Sequence, residues 1–334
     1  MAIGATVPWP DSMTRAGIRW LVARTDRQLA MAPANVEFVF SREMLSLPVA
    51  THTENAKAQH YEVPTEFFEL VLGPQRKYSC CLFADDSASL ASAEEAALAA
   101  TAKHADLADG QRILELGCGW GSLSLWMARR YPAARIVAVS NSRSQCAFIM
   151  QKAQALGLVN LHVITADMNT FSPTERFDRV VSVEMFEHMA NWCTLLARIR
   201  SWLELDGRLF LHVFSHRCVP YRFDHENRAD WIAQHFFTGG IMPSHGLIRQ
   251  FADNFAVEQE WRWSGEHYRR TAEAWLANFD AHSDAIGRVL DHTYGVEASV
   301  WRRRWRLFLL ATIGLFGYAD GTSWGVSHYR LAPH

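Results

Sequence analysis

Between residues 112 and 216 the apolar and polar positions alternate between two periods. RILELGCG, ARIVAVSNS, NLHVITADM and RFDRVVSVEMF each hold a short, near-continuous apolar run rich in Val, Ile and Leu. Runs of that kind are strands buried on both faces. Between them lie SLSLWMARR, closed by Pro132, and SQCAFIMQKAQALG, with apolar residues at helical spacing. A further helix through WCTLLARIRSWLELDG leads to a fifth strand, RLFLHVFSH. Strand and helix alternating at this spacing predict a parallel sheet covered by helices, with its ligand site at the carboxyl ends of the strands.

The flanks read differently. The first hundred residues are mainly helical, as in SREMLSLPVA, EVPTEFFELVLG and SASLASAEEAALAATAKHADLA, the last ending near Asp109-Gly110. After His216 the rhythm breaks into a stretch rich in Trp, Phe, His and Gly, including FFTGG and WRWSGEHY. It is too aromatic for a disordered linker and reads as an insertion capping the cleft. AVEQEWRW and SHYRLA supply the last strands. The expected organisation is a helical extension or lid over 1–100, then an α/β core over 101–334. A substrate cap is inserted after the fifth strand, at about 215–300.

Composition narrows the function. With 49% hydrophobic residues, the 334-residue chain has ample material for a core, and its net charge of −2 offers no basic field for nucleic acid. The six cysteines show no zinc-finger spacing, and a reduced, cytoplasmic protein is expected. TRAGIRWLVARTDRQLA reads as a surface helix rather than a targeting segment. The apolar run Leu307–Phe316 is shorter than the ~20 residues that cross a bilayer. The basic WRRRWR before it reads as solvated charge, compatible with a homodimer interface. Membrane contact is expected only for a lipid acceptor.

The chemistry begins at ILELGCGWGS, where Gly117, Gly119 and Gly121 follow a strand and open a helix. Glycines let the backbone turn tightly and approach a ligand. The spacing is neither the dinucleotide fingerprint nor a phosphate loop. Glu115, just before the first glycine, supplies a carboxylate for an ammonium, which S-adenosylmethionine (SAM) carries and a nicotinamide dinucleotide does not. The second strand ends without an acid for the ribose. Ser140, Asn141 and Gln145 are the replacements, with Asp167 for the adenine amino group and Met168 against the ring. EMFEHM follows the fourth strand. On a helical turn, Glu184 would share a face with Glu187 and His188, an arrangement suited to holding a cationic substrate and taking its proton. No metal is expected, since no further ligands fall at metal spacing.

These residues, with HYEVPTEFF, KYSCCLF, LHVF, FFTGGIMPS and GEHYRRTAEAW, resemble the cyclopropane fatty acid synthase and coclaurine N-methyltransferase superfamily from about residue 60 onward. The resemblance implies a Rossmann-like SAM-dependent methyltransferase fold, with Tyr78 and Ser79 also contacting SAM. It implies that Cys80, Glu187, His212 and Tyr268 match positions that hold bicarbonate in the cyclopropane synthases. Glu187 and His188 match the catalytic pair of the benzylisoquinoline N-methyltransferases, and Glu62 an acid facing the amine. YSCCLF, VEMFEHM and FFTGGIMPS look more like the N-methyltransferase branch. The expected reaction is therefore N-methylation of a small aromatic or cyclic amine. The alternative is methylene or methyl transfer to an unsaturated lipid with bound bicarbonate.

Overall fold

The computed structural model describes residues 9–51, 63–224, 226 and 231–334. Glu62 lies outside the described residues. The four expected strands are β1 (Arg112–Leu116), β2 (Arg135–Ser140), β3 (Leu161–Thr165) and β4 (Phe177–Val183). They are followed by β5 (Leu203–His216), the short pair β6 (Tyr221–Arg222) and β7 (Ile241–Met242), then β8 (Phe255–Ser264) and β9 (Trp324–Pro333). Seven of these make one sheet in the order β3-β2-β1-β4-β5-β9-β8. β1 to β5 run parallel, β9 is antiparallel to β5, and β8 is antiparallel to β9. The chain leaves β1 toward β2 on one side and returns to β4 on the other. That reversal opens a crevice at the carboxyl ends of β1 and β4.

Each central strand is apolar on both faces because both are covered. Leu114, Leu116, Val180, Val181, Leu209 and Leu211 are fully buried. The helices between them are α5 (Ser122–Arg130), α6 (Arg143–Ala155) and α7 (Trp192–Trp202). The starts of α6 and α7 are fixed by side-chain caps: Ser142 accepts from the Gln145 N–H, and Asn191 from the Thr194 N–H. The expected helix through LELDG stops earlier, at Trp202. Leu203 turns extended and is buried opposite Phe177, so LELDG enters the sheet across a register shift. Leu203 continues the helical spacing of Ile199 and Trp202, but its burial against the sheet outweighs that spacing.

The N-terminal helices are α1 (Asp11–Leu29), α2 (Val36–Met44), α3 (Thr65–Val71) and α4 (Leu90–His104). The C-terminal ones are α8 (Trp231–His235), α9 (Gly265–Ala281), α10 (Ser283–Tyr294) and α11 (Ala298–Phe316). The stretch expected to form one cap at about 215–300 is divided, because β8 belongs to the main sheet. Residues before β8 and the α9–α11 helices after it are separate pieces over the crevice.

The apolar run Leu307–Phe316 is the buried end of α11. Arg306 of WRRRWR ties α11 to Asp11 of α1 and to Asp280 of α9 at 2.5 and 2.9 Å. Among the described residues no helix is long and apolar enough to cross a membrane.

Candidate functional site

The crevice is a cavity lined from both halves of the sheet and from the helices above it. Its lining includes Tyr78, Ser79, Glu115, Gly117, Gly119, Ser140, Asn141, Gln145, Asp167, Met168, Glu184, His188 and Tyr268. Most of the residues expected from sequence therefore meet in one place. Gly121, Cys80, Glu187 and His212 are not among the lining residues, and each has a definite position behind them.

The three glycines of the loop differ in their surroundings. Gly117 has φ +81°, and a Cβ there would lie 2.6 Å from the Met185 side chain, so its missing side chain serves packing. Gly119 has φ +50°, and a Cβ there would meet nothing within 4 Å, so its backbone faces open space. Gly121, the left-handed cap of α5, packs against Ile149 rather than facing the cavity.

Glu115 sits at the end of β1, where the strand delivers its side chain into the cavity. Ser124 Oγ donates to its carboxylate. Burial pushes its carboxyl up to about 7, partly offset by that hydrogen bond. No basic side chain contributes. A buried carboxylate without a cation fits the ammonium of an amino-acid moiety. The indole N–H of Trp120 and the hydroxyl of Ser122, also in the lining, have no hydrogen-bond partner among the described residues. Ser140 Oγ donates to Gln145 Oε1 at 2.8 Å, which orders the end of β2 where the ribose is expected. Asp167 accepts from the Asn169 N–H at 2.8 Å, which sets its turn at the end of β3.

EMFEHM does not form the expected helical turn. Glu184 takes a left-handed conformation, φ +47°, and only Phe186–His188 form a 3-10 turn. The Glu184 N–H donates to His212 O at 2.8 Å, extending the β4–β5 pairing by one residue. The side chain then swings into the cavity. Left-handed backbone at a non-glycine costs about 1–2 kcal/mol, a strain that functional sites tolerate.

Around the Glu184 carboxylate the polar groups converge. The Cys80 N–H donates to Oε1 at 2.9 Å, His212 Nε2 lies 3.2 Å from Oε1, and Tyr268 Oη donates to Oε2 at 2.6 Å. Lys77, buried and lining the cavity, lowers the Glu184 pKa through its charge, although burial raises it overall. Lys77 itself is held by Ser79 Oγ and by Cys80 O at 2.7 Å. Nothing in the sequence pattern singles out this lysine, though it opens KYSC.

Glu187 lies behind the cavity. Its Oε1 accepts the Phe214 N–H at 2.6 Å, and its Oε2 has no partner among the described residues. Burial first, and then the charge of Glu184, raise its carboxyl well above the usual range. Three donors converge on Glu184 and the Lys77 charge favours its ionised form, whereas Glu187 has backbone donors alone, so Glu184 is the better-stabilised carboxylate of the two. His188 stands in the cavity lining with its ring stacked at 5.4 Å on Phe237. Phe236 stacks on Phe308 in the core, and Trp261 and Trp263 belong to β8.

The model of the family described as mycolic acid cyclopropane synthetase matches residues 49–319. The chain belongs to this family. It is similar to (S)-coclaurine N-methyltransferase of Thalictrum flavum subsp. glaucum, 36% identical over 293 residues, 86% of this chain and 81% of that one. It is 30% identical to the cyclopropane-fatty-acyl-phospholipid synthase of Escherichia coli strain K12 over 81% of this chain and 67% of that one. Among solved structures it superposes on coclaurine N-methyltransferase bound to N-methylheliamine and S-adenosylhomocysteine. The TM-score is 0.92 at 34% identity, covering 97% of this chain and 95% of that one. Within the family, the chain is a SAM-dependent methyltransferase.

Proposed function

We propose that this enzyme N-methylates a small cyclic or aromatic amine, with Glu184 and His188 receiving the amine as a cation and taking its proton. The observation that carries this reading is the set of donors around Glu184. The Cys80 N–H, His212 and Tyr268, expected around a bicarbonate, are spent on a side-chain carboxylate of the protein itself. A bicarbonate placed there would meet Glu184 at close range, so these residues do not fit that ion. A fixed carboxylate at this place suits a cationic amine better than an alkene. The names of the relatives and the amine bound in the superposed structure agree.

When bound, SAM supplies a methyl carbon on a positively charged sulfur. Glu115, Ser140, Gln145, Asp167 and the backbone of Gly119 are the groups we assign to holding it, with Tyr78 and Ser79 from the loop before α4. An aliphatic amine with a pKa near 10 is only about 0.1% free base at pH 7, so a base has real effect. Glu184 attracts the ammonium, His188 shares the cavity with it, and Glu187 stands behind both, its carboxyl raised by burial and by the charge of Glu184. Phe214, Phe237, Trp275 and Phe308 give the cavity apolar walls. Phe237 also offers its face to a cation.

A panel of amines and unsaturated phospholipids with methyl-labelled SAM tests the proposal, NMR locating the label. Label on nitrogen is the expected result. Label in a lipid carbon, with no amine turned over, overturns it. His188→Ala and Glu184→Gln are expected to lower turnover about 100-fold or more while SAM affinity stays nearly unchanged. Wild-type turnover in both would remove them from the chemistry.

A further inference from the structure

Behind Glu184 runs a line of three imidazoles. His212 Nε2 is 3.2 Å from Glu184 Oε1, His328 Nε2 is 2.9 Å from His212 Nδ1, and His104 Nδ1 is 2.9 Å from His328 Nδ1. The sheet register makes the line. His212 on β5 pairs directly with His328 on β9, which pairs with Trp261 on β8, so all three share one face. His104, the last residue of α4, lies on that face with its ring stacked on Trp261 at 3.9 Å. His212 and His328 are fully buried, and His104 is half-buried.

All three rings are neutral at pH 7. Burial holds His212 and His328 well below the ordinary value and brings His104 to about 4, helped by Lys103 and Arg330. A neutral imidazole has one N–H and one bare nitrogen. Along a closed line of three, the protons can then stand in only two ways. In one, every N–H points toward Glu184, which must be ionised to accept. In the other, every N–H points away, and His212 presents a bare Nε2 that only a protonated Glu184 can meet.

We propose that His328 and His104 are positioning residues for the amine site, locking His212 in the Nε2–H tautomer that donates to the Glu184 carboxylate. With Glu184 ionised, His104 Nδ1–H feeds His328 Nδ1 and His328 Nε2–H feeds His212 Nδ1, and that arrangement holds the His212 proton on Nε2. The other groups facing Glu184 are Lys77, the Cys80 N–H, Tyr268 and the buried Glu187. The line adds a donor whose orientation is set from outside the cavity. The functional consequence rests on the reading that Glu184 faces a cationic amine, whereas the lock itself needs no substrate.

The test uses histidine labelled with nitrogen-15 in the full chain. In the wild type the His212 resonances are expected to report Nε2–H. His328→Leu should shift His212 toward Nδ1–H, and His328→Gln, whose amide N–H donates to the same nitrogen, should restore the wild-type tautomer. A His212 tautomer unchanged in His328→Leu overturns the lock. With a turned-over amine, His328→Leu should move the acid limb of kcat/KM up by about one pH unit, because Glu184 loses a donor to its charged form. His328→Gln should return that limb, and His104→Ala should move it less. A tautomer switch with no movement of the acid limb overturns the role of Glu184 at the amine and leaves the lock standing. An equal loss of activity in His328→Leu and His328→Gln, with the limb unmoved, overturns the positioning role in favour of packing.

Discussion

At the scale of single residues, Glu115 has the plainest consequence. Its folded-state pKa of about 7 lies above the 4.5 of an ordinary glutamate. Ionisation therefore destabilises the ligand-free fold as pH rises from 4.5 to about 7, and that loss is complete above 7. A bound ammonium supplies the missing cation. SAM binding should then release a proton below pH 7, and its affinity should fall about tenfold per pH unit there. Glu115→Gln should bind SAM weakly and with little pH dependence. Calorimetry in buffers of different ionisation enthalpy reads the proton directly, and a pH-independent affinity in the wild type would remove Glu115 from the ammonium site. This residue is legible in the sequence because a strand ending in glycines fixes where its penultimate side chain goes. Glu184 is legible as a site residue but not in its geometry. Helical spacing favours one face for Glu184, Glu187 and His188, and nothing in a glutamate announces a left-handed backbone. The difference matters, because it sends Glu184 into the cavity and leaves Glu187 behind it. Lys77, His104 and His328 leave no readable signal, since their roles come from register and loop packing between distant segments.

At the scale of elements, the third layer above the sheet depends on how α9 starts. Ser264 caps it by accepting from the Glu266 N–H, and Gly265 follows in a space closed by backbone. A Cβ on Gly265 would lie 2.2 Å from Phe316 O and 2.3 Å from Trp324 O. Neither oxygen belongs to a flexible side chain, so α9 itself must move. Gly265→Ala is therefore expected to cost about 1–3 kcal/mol in denaturant unfolding and to raise the KM for the amine by displacing Tyr268 three residues on. Wild-type stability and KM together would contradict the packing argument. The glycine is visible in WSGEHY, but its reason is not, because the two oxygens come from residues fifty and more positions away. The same limit explains the cap. The aromatic stretch after β5 reads as lying over the cleft, and β8 is legible within it as AVEQEWRW, but its place at the edge of the main sheet beyond β9 is not. The parallel strands β1 to β4 are legible to within a few residues at their ends, and β5 from Arg208 on, since burial on both faces leaves a continuous apolar run that few other structures need. LELDG is misread as helix because Ile199, Trp202 and Leu203 keep helical spacing up to its first residue.

At the scale of the whole molecule, the expectation of a separate extension over 1–100 and a core over 101–334 meets a single hydrophobic cluster. That cluster runs from Ile18 and Val22 of α1, through Phe67 and Phe68 of α3, to Trp275, Trp305 and Trp324. Phe67 lies 4.7 Å from the Trp305 ring, and Phe68 lies 5.0 Å from Trp120 of the glycine loop. The α1 helix approaches α11 so closely that a Cβ on Gly314 would lie 2.3 Å from Ile18. The cavity also draws Ala50, Thr51 and Lys77 to Ser79 from the first hundred residues. Removing those residues would expose the aromatic faces of Trp120 and Trp305 and would take Lys77 and the Cys80 N–H away from Glu184. We therefore expect one cooperative unfolding transition for the full chain, raised as a whole by SAM. A fragment of residues 101–334 is expected to show no cooperative transition and no SAM affinity, read by thermal unfolding and calorimetry on the two chains side by side. A fragment that unfolds cooperatively and binds SAM would establish the extension as a detachable lid. The opposite result makes the N-terminal helices part of the floor on which both SAM and the amine are held.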